Sequence, residues 1–263
     1  MVDFQYASHY TVEDLRRIME ALRAPDGCPW DRAQTHQSIR ENMLEEAYEA
    51  ADAIDRGDVD NLREELGDVL LQVVFHAQMA REEGRFTFDD VVDGICRKLI
   101  FRHPHVFGAQ TAGDPEGALS AWDAQKRREK GQRTTADAMD SVARAMPALM
   151  RAEKLQGKAA KAGFDWPDIA PALDKAEEEL SELRRAVAEG TNVEEELGDL
   201  LFAAAKVGRF AGVDPEHALQ GACEKFIRRF RRVEALADKP LDQLDLPALE
   251  ELWRRAKREE TGT

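Results

Sequence analysis

The sequence predicts an all-α protein built as two tandem helical bundles, and three observations carry that reading. Apolar residues recur at spacings of three and four along most of the chain, as in helices that bury one face. No stretch alternates apolar and polar residues as a half-buried strand would. A pattern of acids occurs twice amid the same helix signals: Glu46, Glu49, Glu65 and Asp68, then Glu179, Glu182, Glu196 and Asp199.

Taken in order, Val12 to Arg23 reads as a helix, because Leu15, Ile18, Met19 and Leu22 form one apolar stripe. The run Ala24-Pro25-Asp26-Gly27-Cys28-Pro29 stops it, and Trp30 is expected in the loop that follows. A second helix begins near Ser38. Its apolar side is Met43, Leu44, Ala47, Ala50, Ala51 and Ile54, with Glu46 and Glu49 beside it, and Gly57-Asp58 ends it. Asn61 reads as the cap of the next helix, with Glu64 three residues on as in a capping box. That helix runs from Leu62 to about Glu83. Its stretch from Val69 to Phe75 is apolar nearly all round, which predicts burial on several sides. Thr87, with Asp90, caps a helix carrying Lys98 and Arg102 that ends near His103-Pro104-His105. A loop from Gly108 to Gly117 leads to a charged helix holding Trp122, Lys126, Arg127 and Arg128.

The programme then repeats. Pro147 to Ala162 is amphipathic and ends at Gly163, with Trp166 in the following loop. Pro171 to Ala188 carries Glu179 and Glu182, and Gly190-Thr191 turns the chain. Asn192 precedes Glu195, Glu196 and Asp199 by the steps that separate Asn61 from Glu64, Glu65 and Asp68. Asp214-Pro215 opens the next helix. Lys225, Arg229, Trp253 and Lys257 match Lys98, Arg102, Trp122 and Lys126. A unit of roughly 115 to 130 residues is far longer than a solenoid repeat, so the pattern reads as a duplicated domain. The expected division is 1–130, a polar linker over 131–145, and 146–263.

The totals narrow the function classes. A net charge of −15 argues against broad binding to nucleic acid or to an anionic membrane. Cys28, Cys96 and Cys223 are odd in number and scattered, with neither a disulfide framework nor a CxxC metal pattern. No apolar run is long enough for a signal peptide or a membrane span, and the expected compartment is the cytoplasm.

The acids say more. Residues three apart share a helix face. Glu182 lies eight residues before Gly190 and Asp199 eight after Thr191. At 1.5 Å rise per residue both stand about 12 Å from the turn. A hairpin therefore places them at one level, with Glu179 and Glu196 in the adjacent turns. Four converging carboxylates repel unless a cation sits among them. All-oxygen ligation suits Mg²⁺, with Mn²⁺ as a substitute. A di-iron site would ask for Glu-x-x-His, and no His occupies these positions. A solvated acidic face is the plain alternative. Against it stand the two copies, the neighbouring Leu197, Leu200 and Leu201, and the mid-helix Gly67 and Gly198. Each such glycine costs about 1 kcal/mol relative to Ala. It is expected to admit a close neighbour, backbone or ligand.

A metal held by carboxylates commonly takes phosphate as a further ligand. Lys175, one turn before Glu179, and Lys225, Arg228 and Arg229 are candidate phosphate partners, or else ordinary surface charge. Trp253 either stacks on a base or fills core. His103 and His105 flank Pro104 and read as a helix end. No Walker A motif, GxGxxG or nucleophilic Ser or Cys arrangement occurs.

The pairs Glu179-x-x-Glu182 and Glu196-x-x-Asp199 are similar to the ExxE…ExxD signature of the all-α nucleoside triphosphate pyrophosphohydrolases. Gly27-Cys28-Pro29-Trp30-Asp31, Leu44-Glu45-Glu46-Ala47-Tyr48-Glu49, Glu65-Leu66-Gly67-Asp68 and Arg102-His103-Pro104-His105-Val106-Phe107 resemble its long, two-repeat form, MazG. The likeness spans nearly the whole chain. It implies Mg²⁺-dependent hydrolysis of ribo- and deoxynucleoside triphosphates to monophosphate and pyrophosphate. It also implies a homodimer of helical bundles, with activity chiefly in the second repeat. Carried over by position, Glu179, Glu182, Glu196 and Asp199 hold the metal. Lys175, Lys225 and Arg229 then contact phosphates, Trp253 contacts the nucleotide, and Lys257 belongs to the same substrate set. Asn192 stands where the family can place a nucleotide-contacting Lys. The first repeat keeps Glu46, Glu49, Glu65 and Asp68 as a second site, but has Asn42 for Lys175 and Phe101 for Arg228. Two rivals stay open: a hydrolase restricted to dUTP, dCTP or phosphoribosyl-ATP, and a non-catalytic helical module whose acids bind metal only for structure.

Overall fold

The computed structural model describes residues 6–108 and 113–261. Among them the regular elements are all helices, with no strand. The chain forms two compact units, residues 1–126 and 127–263.

In the first unit α1 (Val12–Arg23) starts at a capping box between Thr11 and Asp14 and buries Met19. Then α2 (Pro29–Ala33) is a short helix that contains Trp30, where the sequence predicted a loop. Pro29 at its first position makes that possible, since a missing N–H costs nothing there. Next, α3 (Arg40–Arg56) ends at Gly57 in the left-handed conformation. In turn, α4 (Val59–Glu82) begins earlier than expected. Its cap is Asp58, whose side chain accepts the Asn61 N–H at 3.1 Å, so Asn61 lies inside the helix and caps nothing. An aspartate is as good a cap as an asparagine, and the earlier start adds helical hydrogen bonds. The Thr87–Asp90 capping box opens α5 (Phe88–Arg102) as expected. Beyond α6 (Pro104–Phe107) the expected Gly108–Gly117 loop lies partly outside the described residues, and α7 (Pro115–Glu129) already covers its end.

The core of this unit joins Met19, Ile39, Val74, Phe75 and Met79, flanked by Leu15, Leu22, Leu70, Leu71 and Phe88. Thus the apolar stretch of α4 is buried against α1 and the turn before α3. Each fully buried side chain of this size contributes about 1.5–3 kcal/mol. Arg23, 8% exposed, closes the edge of that core. Its guanidinium lies over the Phe75 ring, 5.5 Å from its centre. It binds Glu82 at 2.8 Å and donates to the carbonyl oxygens of Asp31 and Gln34.

In the second unit α8 (Thr135–Asp140) occupies the stretch expected as a linker. A Thr134–Asp137 capping box starts it, and Ala138 and Val142 are buried. It is followed by α9 (Ala148–Lys161), α10 (Ala170–Glu189), α11 (Val193–Ala211) and α12 (Pro215–Leu236). A single 3₁₀ turn at Leu241–Gln243 leads to α13 (Leu246–Thr261). The tightest pairing is α10 on α11, as α3 on α4 is in the first unit, and α9 and α12 both pack on α11. Asp214 caps α12 through two N–H groups, with Pro215 at the first position.

The Arg23 cluster yields a stability prediction. The Arg23 hydrogen bonds hold the Glu82 carboxyl below its ordinary 4.5. A lowered folded-state pKa means stability present above 4.5 and lost as pH falls through the folded value. Arg23→Met should destabilise the protein by about 1–3 kcal/mol in urea denaturation, since it strands buried carbonyls. The difference between wild type and Glu82→Gln should shrink as the pH is lowered below 4.5.

Candidate active site

The second acidic set rests on the α10–α11 hairpin. Gly190, at φ +70°, and Asn192, at φ +54°, turn the chain within three residues. Gly190 supplies the left-handed conformation at no steric cost, and asparagine is among the few other residues that tolerate it. In that conformation the Asn192 side chain makes no cap hydrogen bond, so the capping box expected with Glu195 does not form.

Across this hairpin Glu179, Glu196 and Asp199 bring one carboxylate oxygen each within 4.8 Å of one another. Glu179 is 5% exposed. Lys175 reaches it at 2.6 Å and Glu178 at 2.8 Å, and these two partners push the ammonium pKa up. Glu182, expected level with Asp199, lies outside the close triple and binds Arg185 at 3.2 Å. Its charge still reaches Glu196. Desolvation comes first, then repulsion from Glu182, Glu179, Glu195 and Asp199, and together they hold the Glu196 carboxyl above its ordinary range.

The first unit repeats the arrangement on α3 and α4. Glu46, Glu49 and Glu65 come within the same 4.8 Å, and Asp68 lies outside the triple. Partial burial and the neighbouring acids raise the pKa of Glu46 and Glu65. Here the Gln72 amide hydrogen-bonds Glu46, and no lysine precedes the set because Asn42 stands in its place.

The expected substrate residues of the second half divide into two groups. Lys175 belongs to the acidic cluster. Arg229, on α12, is engaged by Glu260, which also takes Arg228 at 2.5 Å. Trp253 packs its ring 5.3 Å from Phe226, in a recess shared with Phe230, Val233 and Leu249. No carboxylate of the quartet lines that recess. Lys225 is exposed on α12, and Lys257 lies on α13. In the first unit Arg102 and Lys126 both lie over the Trp122 ring. At the mid-helix glycines no other backbone makes the close approach expected. Open space surrounds the position a Cβ would take at Gly67 and Gly198, so neither is kept small by a neighbour within its unit.

Comparison with known proteins agrees with this duplicated geometry. The sequence model of the MazG nucleotide pyrophosphohydrolase domain matches residues 34–107 and 172–233, one segment around each acidic cluster. The chain belongs to the MazG family. It is 48% identical over 257 residues to the nucleoside triphosphate pyrophosphohydrolase of Escherichia coli K12, covering 95% of this chain and 98% of that one. It is 46% identical over 248 residues to the Thermotoga maritima protein named nucleoside triphosphate pyrophosphohydrolase/pyrophosphatase MazG, covering 93% and 95%. The two MazG segments take in α3–α4 and α10–α11, the hairpins that carry the acids.

The donor set fits a hard divalent cation: three carboxylates at close quarters, one of them, Glu196, held above its ordinary pKa by desolvation and by the surrounding acids. A raised folded-state pKa makes ionisation costly, so Glu196 lowers stability as pH rises from 4.5 through its folded value. With chelator present, Glu196→Gln should therefore melt higher than wild type at neutral pH, and the gap should close toward pH 4.5. Adding Mg²⁺ should raise the wild-type melting temperature and leave Glu196→Gln little changed.

Proposed function

We propose that this MazG-family chain hydrolyses nucleoside triphosphates to the monophosphate and pyrophosphate, using Mg²⁺ or Mn²⁺ at the second acidic cluster. The observation that carries the reading is the close triple of Glu179, Glu196 and Asp199 with Lys175 against it. It lies in a domain whose relatives bear the name of that activity.

Glu179, Glu196 and Asp199 would hold the cation, with Glu182 at its edge. The cation supplies charge neutralisation for the triphosphate and activation of the attacking water. The oxygen of that water forms a bond to the α-phosphorus, and the bond from that phosphorus to the bridging oxygen of pyrophosphate breaks. A carboxylate of the set that is not fully engaged takes the proton from water. Lys175 exchanges Glu179 for a phosphate oxygen. Lys225 and Arg229, on the α12 helix that packs against α11, offset the charge of the leaving pyrophosphate. Asn192 at the hairpin turn and Lys257 and Trp253 on α13 complete the substrate set inferred by position.

The first unit keeps the acids but has Asn42 in place of the lysine. We assign it at most a secondary metal site. Exposed apolar side chains run along α12 (Leu219, Phe226, Phe230) and α5 (Val91, Ile95, Leu99). Such stripes need a cover, which supports a homodimer. Among the described residues no helix is long and apolar enough to cross a membrane; the net charge of −15 supports a protein without nucleic-acid partners, and a cytoplasmic location belongs to the same proposal.

The product assay tests the assignment. With GTP or dTTP and Mg²⁺, pyrophosphate and monophosphate should appear in equal amounts; orthophosphate with the diphosphate would refute the bond assignment. Glu179→Gln and Asp199→Asn should each lower kcat by at least about a hundredfold, the scale of removing one transition-state contact, with the fold kept by circular dichroism. Glu46→Gln should cost much less, and an equal loss there would move the principal site to the first unit.

A further inference from the structure

Two histidines of the first unit meet head-on. His36 lies in the turn before α3 and His76 on α4, and their Nδ1 atoms are 2.8 Å apart. The ring planes differ by 5°, and the ring centres are 5.1 Å apart. That separation is no more than the contact plus the two ring radii, so the nitrogens face each other along the line between the rings. A hydrogen bond needs a ring N–H on one side and a bare ring nitrogen on the other. The contact therefore forms when the pair is neutral or carries one positive charge. A second bound proton would set two N–H groups against each other on two positive rings.

The bridge sits where α3 has no capping side chain to fix its start. Ile39, the residue before the first helical turn, is instead buried with Val74 and Phe75 in the core. The turn itself is knit by Thr35 and Ser38, each hydroxyl accepting the other's backbone N–H, at 3.1 and 2.9 Å. Arg23 ties the chain just ahead of it, at the Gln34 carbonyl oxygen, and the histidine pair ties the turn to α4. Counted back from the Gly57 and Gly190 stops, His36 corresponds to Ile169. Counted on from Asp68 and Asp199, His76 corresponds to Val207. Neither counterpart can take a proton, so the second copy has no such bridge at these positions.

We propose that His36 and His76 form a proton-operated latch, closed at neutral pH and released in acid, that holds the start of α3 against α4. Burial first, and the nearby His36 charge second, keep the His76 pKa below its ordinary 6.5. For a base, a lowered folded-state pKa means stability present above 6.5 and lost as pH falls through the folded value. The helices packed on α4 are α1, α3 and α5. From α1, Arg23 pairs with Glu82, Glu20 with Arg81, and Arg16 with Asp89 of α5. Asp90 of α5 closes the Thr87 capping box. From α3, Glu46 accepts from Gln72 and stands with Glu49 and Glu65, and Arg40 is exposed. The charge that bears on His76 is that of His36.

The place of the latch decides what its release does. The Gly57 turn closes one end of the α3–α4 hairpin, and the histidine pair closes the other. Glu46, Glu49 and Glu65 lie between the two closures. Protonation of both rings therefore loosens the helix pair that carries the acidic triple of the first unit. The α10–α11 hairpin, with Ile169 and Val207 at the corresponding places, keeps its closure over the same range of pH.

The test uses the full-length protein between about pH 8 and pH 5, the range in which histidine titrates. Amide hydrogen exchange is measured and corrected for its intrinsic dependence on pH. Protection of the Ile39 and Met43 amides, bonded to the Thr35 and Ile39 carbonyl oxygens, is the readout in the first unit. It should fall about two- to tenfold in acid, the worth of one hydrogen bond. The Ala172 and Leu173 amides, both bonded to the Ile169 carbonyl oxygen, should keep theirs. His36→Leu and His76→Leu should each abolish the dependence on pH. Flat protection in wild type would overturn the proposal, as would a fall of the same size in both variants. If neither variant folds, nitrogen-15 spectra of the wild-type rings decide. One protonated and one bare Nδ1 at the upper pH, with the second proton taken up below 6.5, support the latch. Two rings titrating independently at 6.5 would sink it. Neither readout involves turnover, so the latch is judged apart from the proposed reaction.

Discussion

Mutual repulsion among carboxylates is the constraint on which this molecule depends. The α10–α11 hairpin brings Glu179, Glu196 and Asp199 together, and desolvation with the neighbouring acids makes the Glu196 charge costly. The packing of two long helices holds that arrangement, and a nearby positive charge eases the repulsion. Lys175 gives part of that relief from within the chain, through its contact with Glu179. The first unit has no such lysine and sets an uncharged amide, Gln72, against Glu46 instead. The helices around each hairpin serve first to fix that geometry.

Much of this was legible in the sequence because it rests on local rules. The limits of α1, the Thr87–Asp90 box and the Gly57 and Gly190 stops follow from caps and periodicity, which act over a few residues. The acidic sets were legible because residues three apart share a helix face whatever surrounds them. Errors came where two local solutions compete. Asp58 and Asn61 are both good caps, and the helix took the earlier one. Pro29 both ends a loop and starts a helix, and Trp30 went with the helix.

The cavity beside the second acidic cluster, walled in part by Lys175, Glu179 and Asp199, was not legible, for a different reason. Its walls come from α9, α10, α11 and the loop after α9, and much of what defines it is small: Ala159, Gly163 and Ala203. Absence of side-chain volume leaves no periodic trace. The glycines carried no packing contact either. Gly67 and Gly198 look like close-approach positions, yet nothing lies near either within its unit.

The buried Phe75 ring has a consequence for how duplicated domains diverge. A copy that no longer has to admit a ligand is free to turn its cavity into core and gain stability, while its acids persist because the helix hairpin already accommodates them. In this chain the residue seven positions beyond the last acid differs between the copies: Phe75 lies in the hydrophobic core of the first unit, and Lys206 is held by Asp165 in the second.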